Sequence, residues 1–65
     1  MPKYRCYFRD HNGRIRGTQL LDCEDDMAAA VKMEILLAER PNCTAAEVWI
    51  GRRLIHRTTH TTERR

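Results

Sequence analysis

No stretch of this 65-residue chain is apolar for anything near the roughly 20 residues that a membrane-spanning helix requires. With only three glycines, none clustered, it has no glycine-rich loop of the kind that wraps phosphate in backbone N–H groups. Its three cysteines (Cys6, Cys23, Cys43) form no CxxC pair, and His11, His56 and His60 stand at no metal-ligand spacing from them. That excludes the common zinc frameworks, and the odd count without an export signal predicts reduced thiols in a cytoplasm. A nucleophilic Cys23 would have Asp22, Glu24, Asp25 and Asp26 opposing its thiolate, and Cys6 alternates with Tyr4 and Phe8 as a small hydrophobe would. A chain this short also has little room to enclose a substrate. The expectation is a non-enzymatic protein with no metal, no cofactor, no small-molecule substrate and no membrane partner.

What is present is charge, unevenly placed. The net charge is +3, yet residues 22–40 hold six of the nine acids and two of the twelve bases. That stretch is net −4 and the remainder net +7. Ten of the twelve bases are arginine, whose planar guanidinium suits phosphate and carboxylate.

The acidic stretch, Asp22 to Arg40, is the chain's one strong helix signal. Ala, Met, Leu and Glu fill it without an internal Gly or Pro, Asp22 is an N-cap candidate, and Pro41 disfavours helical geometry at Arg40. Before it, residues 3–9 alternate, with Tyr4, Cys6 and Phe8 on one side and Lys3, Arg5, Tyr7 and Arg9 on the other, as a half-buried strand does. Asn12-Gly13 reads as a two-residue type I′ hairpin turn. It would pair Asp10 with Ile15, Phe8 with Gly17, Cys6 with Gln19 and Tyr4 with Leu21, put Ile15 on the inner face, and set Arg9 opposite Arg16. After the helix, Glu47–Ile50 and a Gly51-Arg52 turn predict a second hairpin with Val48, Ile50 and Ile55 inward and Glu47, Trp49, Leu54 and His56 outward. Residues 58–65, basic and Thr-rich, lack an apolar anchor and read as a disordered tail. The whole is α+β: a ββαββ domain over 1–57, two β-hairpins forming a four-stranded antiparallel sheet packed on one helix.

The opening Met1-Pro2-Lys3-Tyr4, the aromatic strand ending Arg9-Asp10-x-x-Gly13, and Leu20-x-Asp22 before an Ala-rich helix resemble a domain-of-unknown-function family of short bacterial proteins beginning Met-Pro-Arg-Tyr-Phe. This chain departs from that pattern in a shorter segment between Gly13 and Asp22 and in Gly51-Arg52 at a longer Asp/Gly-rich turn. The resemblance implies a bacterial protein of ββαββ plan over residues 1–57, and it carries no activity or site residues.

Two binding modes remain. Arg5, Arg9, Arg14 and Arg16 around Tyr7, joined by Trp49 and His56, predict a basic outer sheet face for nucleic acid or another anionic partner such as an acidic protein. Arginines contact phosphates and sheet aromatics stack unpaired bases. The competing expectation is a homodimer or other protein–protein contact. The helix carries two apolar stripes, one of Met27, Ala28, Val31, Ile35 and Ala38, the other of Ala30, Met33 and Leu37 with Leu36 further round. A helix on a single sheet needs only one. Met33, Leu36 and Leu37 are the candidate oligomer surface.

Overall fold

A computed structural model describes residues 1–59. Strands β1 (Lys3–Arg9) and β2 (Ile15–Asp22) form the first hairpin, α1 spans Asp26–Ala38, and β3 (Ala45–Ile50) and β4 (Arg53–Thr59) form the second. The four strands make one antiparallel sheet in the order β2-β1-β3-β4, so the edges are β2 and β4. The helix runs from edge strand β2 to inner strand β3 across one face and leaves the other bare. This is the expected α+β ββαββ arrangement.

The helix starts later than Asp22. That residue closes β2, paired with Lys3 in the ladder and bonded to its Nζ at 2.9 Å. Asp25 takes the cap in extended backbone, its Oδ1 accepting the Ala28 N–H at 2.8 Å. At the other end the N–H groups of Glu39 and Arg40 bond back to the carbonyls of Leu36 and Leu37, tightening the last turn ahead of Pro41.

Tyr4, Cys6 and Phe8 of β1, Leu21 of β2, and Ala46 and Val48 of β3 meet Ala29, Met33 and Leu37 of the helix, with Cys23 closing one end. Met33 and Leu37 are therefore core residues of a single chain, and Leu36 is half-buried against that core. The expected oligomer surface is thus turned inward: the sheet takes the Ala29-Met33-Leu37 side. The stripe left in solvent is the other one, with Met27 76%, Val31 54% and Ile35 53% exposed. Two polar links pin the same interface. The Tyr4 hydroxyl donates to Asp26 Oδ1 at 2.8 Å, and that bond, with burial, pushes its pKa up to about 12. The Arg40 guanidinium lies 4.2 Å from the Phe8 ring centroid. It fits because Gly17 faces Phe8; a Cβ there would sit 2.9 Å from Arg40 Nη1.

Both hairpins depart from the expected register at one point each. The first loop has three residues, His11-Asn12-Gly13. Gly13 alone takes positive φ (83°), its N–H bonds the Asp10 carbonyl, and the Asp10 N–H bonds the Arg14 carbonyl. Asp10 organises that loop by accepting the N–H groups of Asn12 and Arg14 on one carboxylate oxygen, at 2.9 and 3.0 Å. These bonds, that of Arg14 foremost, hold its carboxyl below the usual range. A bulge at Phe8/Arg9 then restores the expected pairs from Phe8–Gly17 to Tyr4–Leu21. Arg9 accordingly faces Ile15 rather than Arg16, and Ile15, 49% exposed, is not in the core. In the second hairpin a bulge at Val48/Trp49 pairs Val48 with His56. That one extra residue sends His56 to the helix side, where Nε2 lies 3.1 Å from Glu34 Oε2. β4 also continues through Thr59, so Thr58 and Thr59 of the expected tail are strand; residues 60–65 lie outside the described residues.

Candidate functional site

The bare face of the sheet is built in three rows read from the pairing. Leu20, Arg5, Trp49 and Leu54 cross it in the first, Thr18, Tyr7, Glu47 and Arg57 in the second, and Ile15, Arg9, Ala45 and Thr59 in the third. Tyr7 and Trp49, both half-buried, thus lie diagonally on the two inner strands with Arg5 directly across from the indole. Diagonal neighbours on one sheet face stand about 7–8 Å apart at the backbone, within reach for large side chains. A trough of about 660 Å³ runs over this surface, floored by Tyr7, Trp49 and Glu47 and walled by Lys3, Arg5, Arg9, Ile15, Leu20 and Arg52.

Glu47 sits at the centre, 8% exposed, and is the only buried charged side chain among the described residues. Its Oε1 accepts from Trp49 Nε1 at 3.2 Å and from Arg9 Nη2 at 3.4 Å, while Oε2 lies 3.7 Å from Arg57 Nε. A buried carboxylate is tolerable because it is paired on both sides. In return it fixes the indole plane and holds two guanidiniums on the face. Arg9 is further anchored by Nη1, which donates to the Gly13 carbonyl at 2.8 Å. Five cations (Lys3, Arg5, Arg9, Arg52, Arg57) and two carboxylates (Glu47, and Asp22 on Lys3) therefore set the charge of this surface.

Of the residues expected on a basic face, Arg5, Tyr7, Arg9 and Trp49 come together here. Arg14 and Arg16 belong to the hairpin end, where Arg16 Nε lies 3.5 Å from Asp10 Oδ2. His56 is on the opposite side of the sheet. Arg57, assigned in sequence to the end of the domain, and Glu47, assigned only a direction, turn out to be central. The signal for Arg57 was present in the β-bulge alone, which residue types do not mark.

Elsewhere, the thiol of Cys6 is enclosed and burial pushes its pKa up to about 11. Cys23 is buried and Cys43 half-exposed. Among the described residues no three His, Cys, Asp or Glu side chains gather as a metal site, and no helix is long and apolar enough to cross a membrane. Comparison with protein-family models, curated proteins and solved structures finds no match to this chain.

Proposed function

We propose that this chain is a non-enzymatic binding module whose bare sheet face takes single-stranded nucleic acid. The observation that carries the reading is the diagonal pair Tyr7 and Trp49 on the two inner strands, with Arg5 beside the indole and no element among the described residues covering them. Aromatics on an open sheet stack unpaired bases, each stack contributing about 1–3 kcal/mol. A stacked duplex does not offer its base faces to such a surface, so single strands are favoured over duplex. The guanidiniums of Arg5 and Arg52 make no hydrogen bond or ion pair among the described residues, which leaves them for phosphate. Arg9 and Arg57 are partly neutralised by Glu47 and contribute less than their formal charge. The bacterial-family resemblance adds no activity to this reading.

Fluorescence polarisation with a labelled single-stranded oligonucleotide and the matching duplex tests it. About three effective phosphate contacts on a single strand give a slope of log affinity on log salt near −2, or roughly a sixteenfold loss between 50 and 200 mM salt. Tyr7→Ala with Trp49→Ala should weaken single-strand binding by at least about tenfold. Binding that ignores salt, or that prefers duplex, contradicts the proposal.

A further inference from the structure

We infer that the bare sheet face prefers the amino-bearing bases cytosine, adenine and guanine to thymine and uracil, with Glu47 as the group that selects. The preference rests on the reading of this face as a single-strand surface and adds the class of base to it. Its position follows from the ladder. Glu47 is the direct partner of Tyr7 across β1 and β3, which sets the two side chains about 4.5–5.5 Å apart at Cβ. It also stands two residues before Trp49 on β3, hence on the same face, and accepts the indole N–H at 3.2 Å. A base laid on either ring therefore brings its edge over the same carboxylate.

That carboxylate has accepting capacity left. Each of its oxygens carries two lone pairs. Oε1 uses both, on Trp49 Nε1 at 3.2 Å and Arg9 Nη2 at 3.4 Å. Oε2 has only Arg57 Nε at 3.7 Å, too far for a hydrogen bond. An acceptor on a buried side chain left short of donors is costly, and a donor brought by a ligand relieves it. Among the described residues Glu47 is the one acid lining the trough. The cations there donate only and are drawn to phosphate, and the Tyr7 hydroxyl donates or accepts alike, so neither favours an amine. Cytosine N4 carries its hydrogens at the outer edge of the ring and meets a carboxylate oxygen unhindered. Adenine N6 and guanine N2 offer the same group. Thymine has a carbonyl oxygen where cytosine has its amine, and its one ring N–H lies between two carbonyl oxygens that a carboxylate repels. Uracil shares that edge. The charge of Glu47 thus opposes phosphate yet favours a base amine.

Fluorescence polarisation with oligocytidylate and oligothymidylate of about ten nucleotides tests the preference at neutral pH and about 50 mM salt. Both are pyrimidines, alike in charge and similar in stacking area. The parent chain should bind oligocytidylate at least about tenfold more tightly, the effect of one hydrogen bond to a charged group. The same oligomer with 2-pyrimidinone in place of cytosine, which lacks only the amine, should fall back to the affinity of oligothymidylate. In Glu47→Gln the carboxamide can turn its oxygen or its NH₂ to the base, so the ratio should close to within about twofold. Both affinities rise there as Arg9 and Arg57 are freed, that of oligothymidylate by more. Circular dichroism verifies that the variant is folded at the titration temperature, and the pyrimidinone oligomer tests the amine without any variant. Equal binding of the two natural oligomers by the parent overturns the base preference and leaves the single-strand reading in place, as does a pyrimidinone oligomer bound as tightly as oligocytidylate. A cytosine preference that persists in Glu47→Gln overturns the assignment to Glu47. Binding to neither oligomer overturns the single-strand reading and the preference with it.

Discussion

Glu47→Gln keeps the shape of the side chain at the centre of the bare face and removes its charge, so stability and binding should move in opposite directions. The carboxylate holds Arg9 at 3.4 Å and Arg57 at 3.7 Å and accepts the Trp49 indole at 3.2 Å. Breaking a fully buried pair costs about 3–5 kcal/mol, but both guanidiniums reach solvent and both contacts are long. A loss of about 1–2 kcal/mol follows once solvent screening is allowed for. At this chain length that lowers the melting temperature by roughly 5–15 °C. The same change frees Arg9 and Arg57 for phosphate. One more effective contact steepens the salt slope by about 0.7 and tightens single-strand binding several-fold at low salt. Thermal melts by circular dichroism and polarisation titrations at two salt concentrations read both effects. A variant as stable as the parent refutes the structural role assigned to Glu47, and one that binds more weakly refutes the claim that its charge opposes the ligand.

Met33→Ala should cost about 2–5 kcal/mol, comparable with the whole stability of a core this small, so the variant should be largely unfolded at 25 °C by circular dichroism. Val31→Ala on the opposite side should leave the monomer's unfolding midpoint nearly unchanged. Ultraviolet titration at 295 nm should find Tyr4 ionising near pH 12. Because its folded pKa is raised above the unfolded value near 10, the stability it contributes is intact below pH 10 and is lost as pH rises from there through about 12. Under native conditions a thiol reagent at pH 8 should label Cys43 first; Cys6, enclosed and with its pKa near 11, should react only as the fold opens.

The alternation of Lys3 to Arg9 was enough to place Tyr4, Cys6 and Phe8 in the core and Arg5, Tyr7 and Arg9 outside it, because a period of two admits no other reading. The helix was equally plain in residue types. Its inward side was not, because two stripes of similar apolarity compete and only the sheet decides between them. Met33 and Leu37 won that contest, and with them the outward side passed to Val31 and Ile35. Ile15 and His56 were misplaced for another reason. A single bulged residue inverts every side chain after it, and bulges at Phe8/Arg9 and Val48/Trp49 leave no mark in residue type. Asp22 was a sound cap by chemistry, yet pairing with Lys3 extended β2 through it and passed the role to Asp25.

The chain's single tryptophan reports on the proposed interface directly, since Trp49 stands on the bare face and nowhere else. Titrating the protein with a short single-stranded oligonucleotide while recording ¹H–¹⁵N spectra follows the Trp49 indole N–H and the amides of β1 and β3 together. These resonances should move with a common, salt-dependent affinity, while the amides of residues 27–35 on the helix stay in place. A spectrum in which the helix amides move and the Trp49 indole does not would contradict the proposed interface.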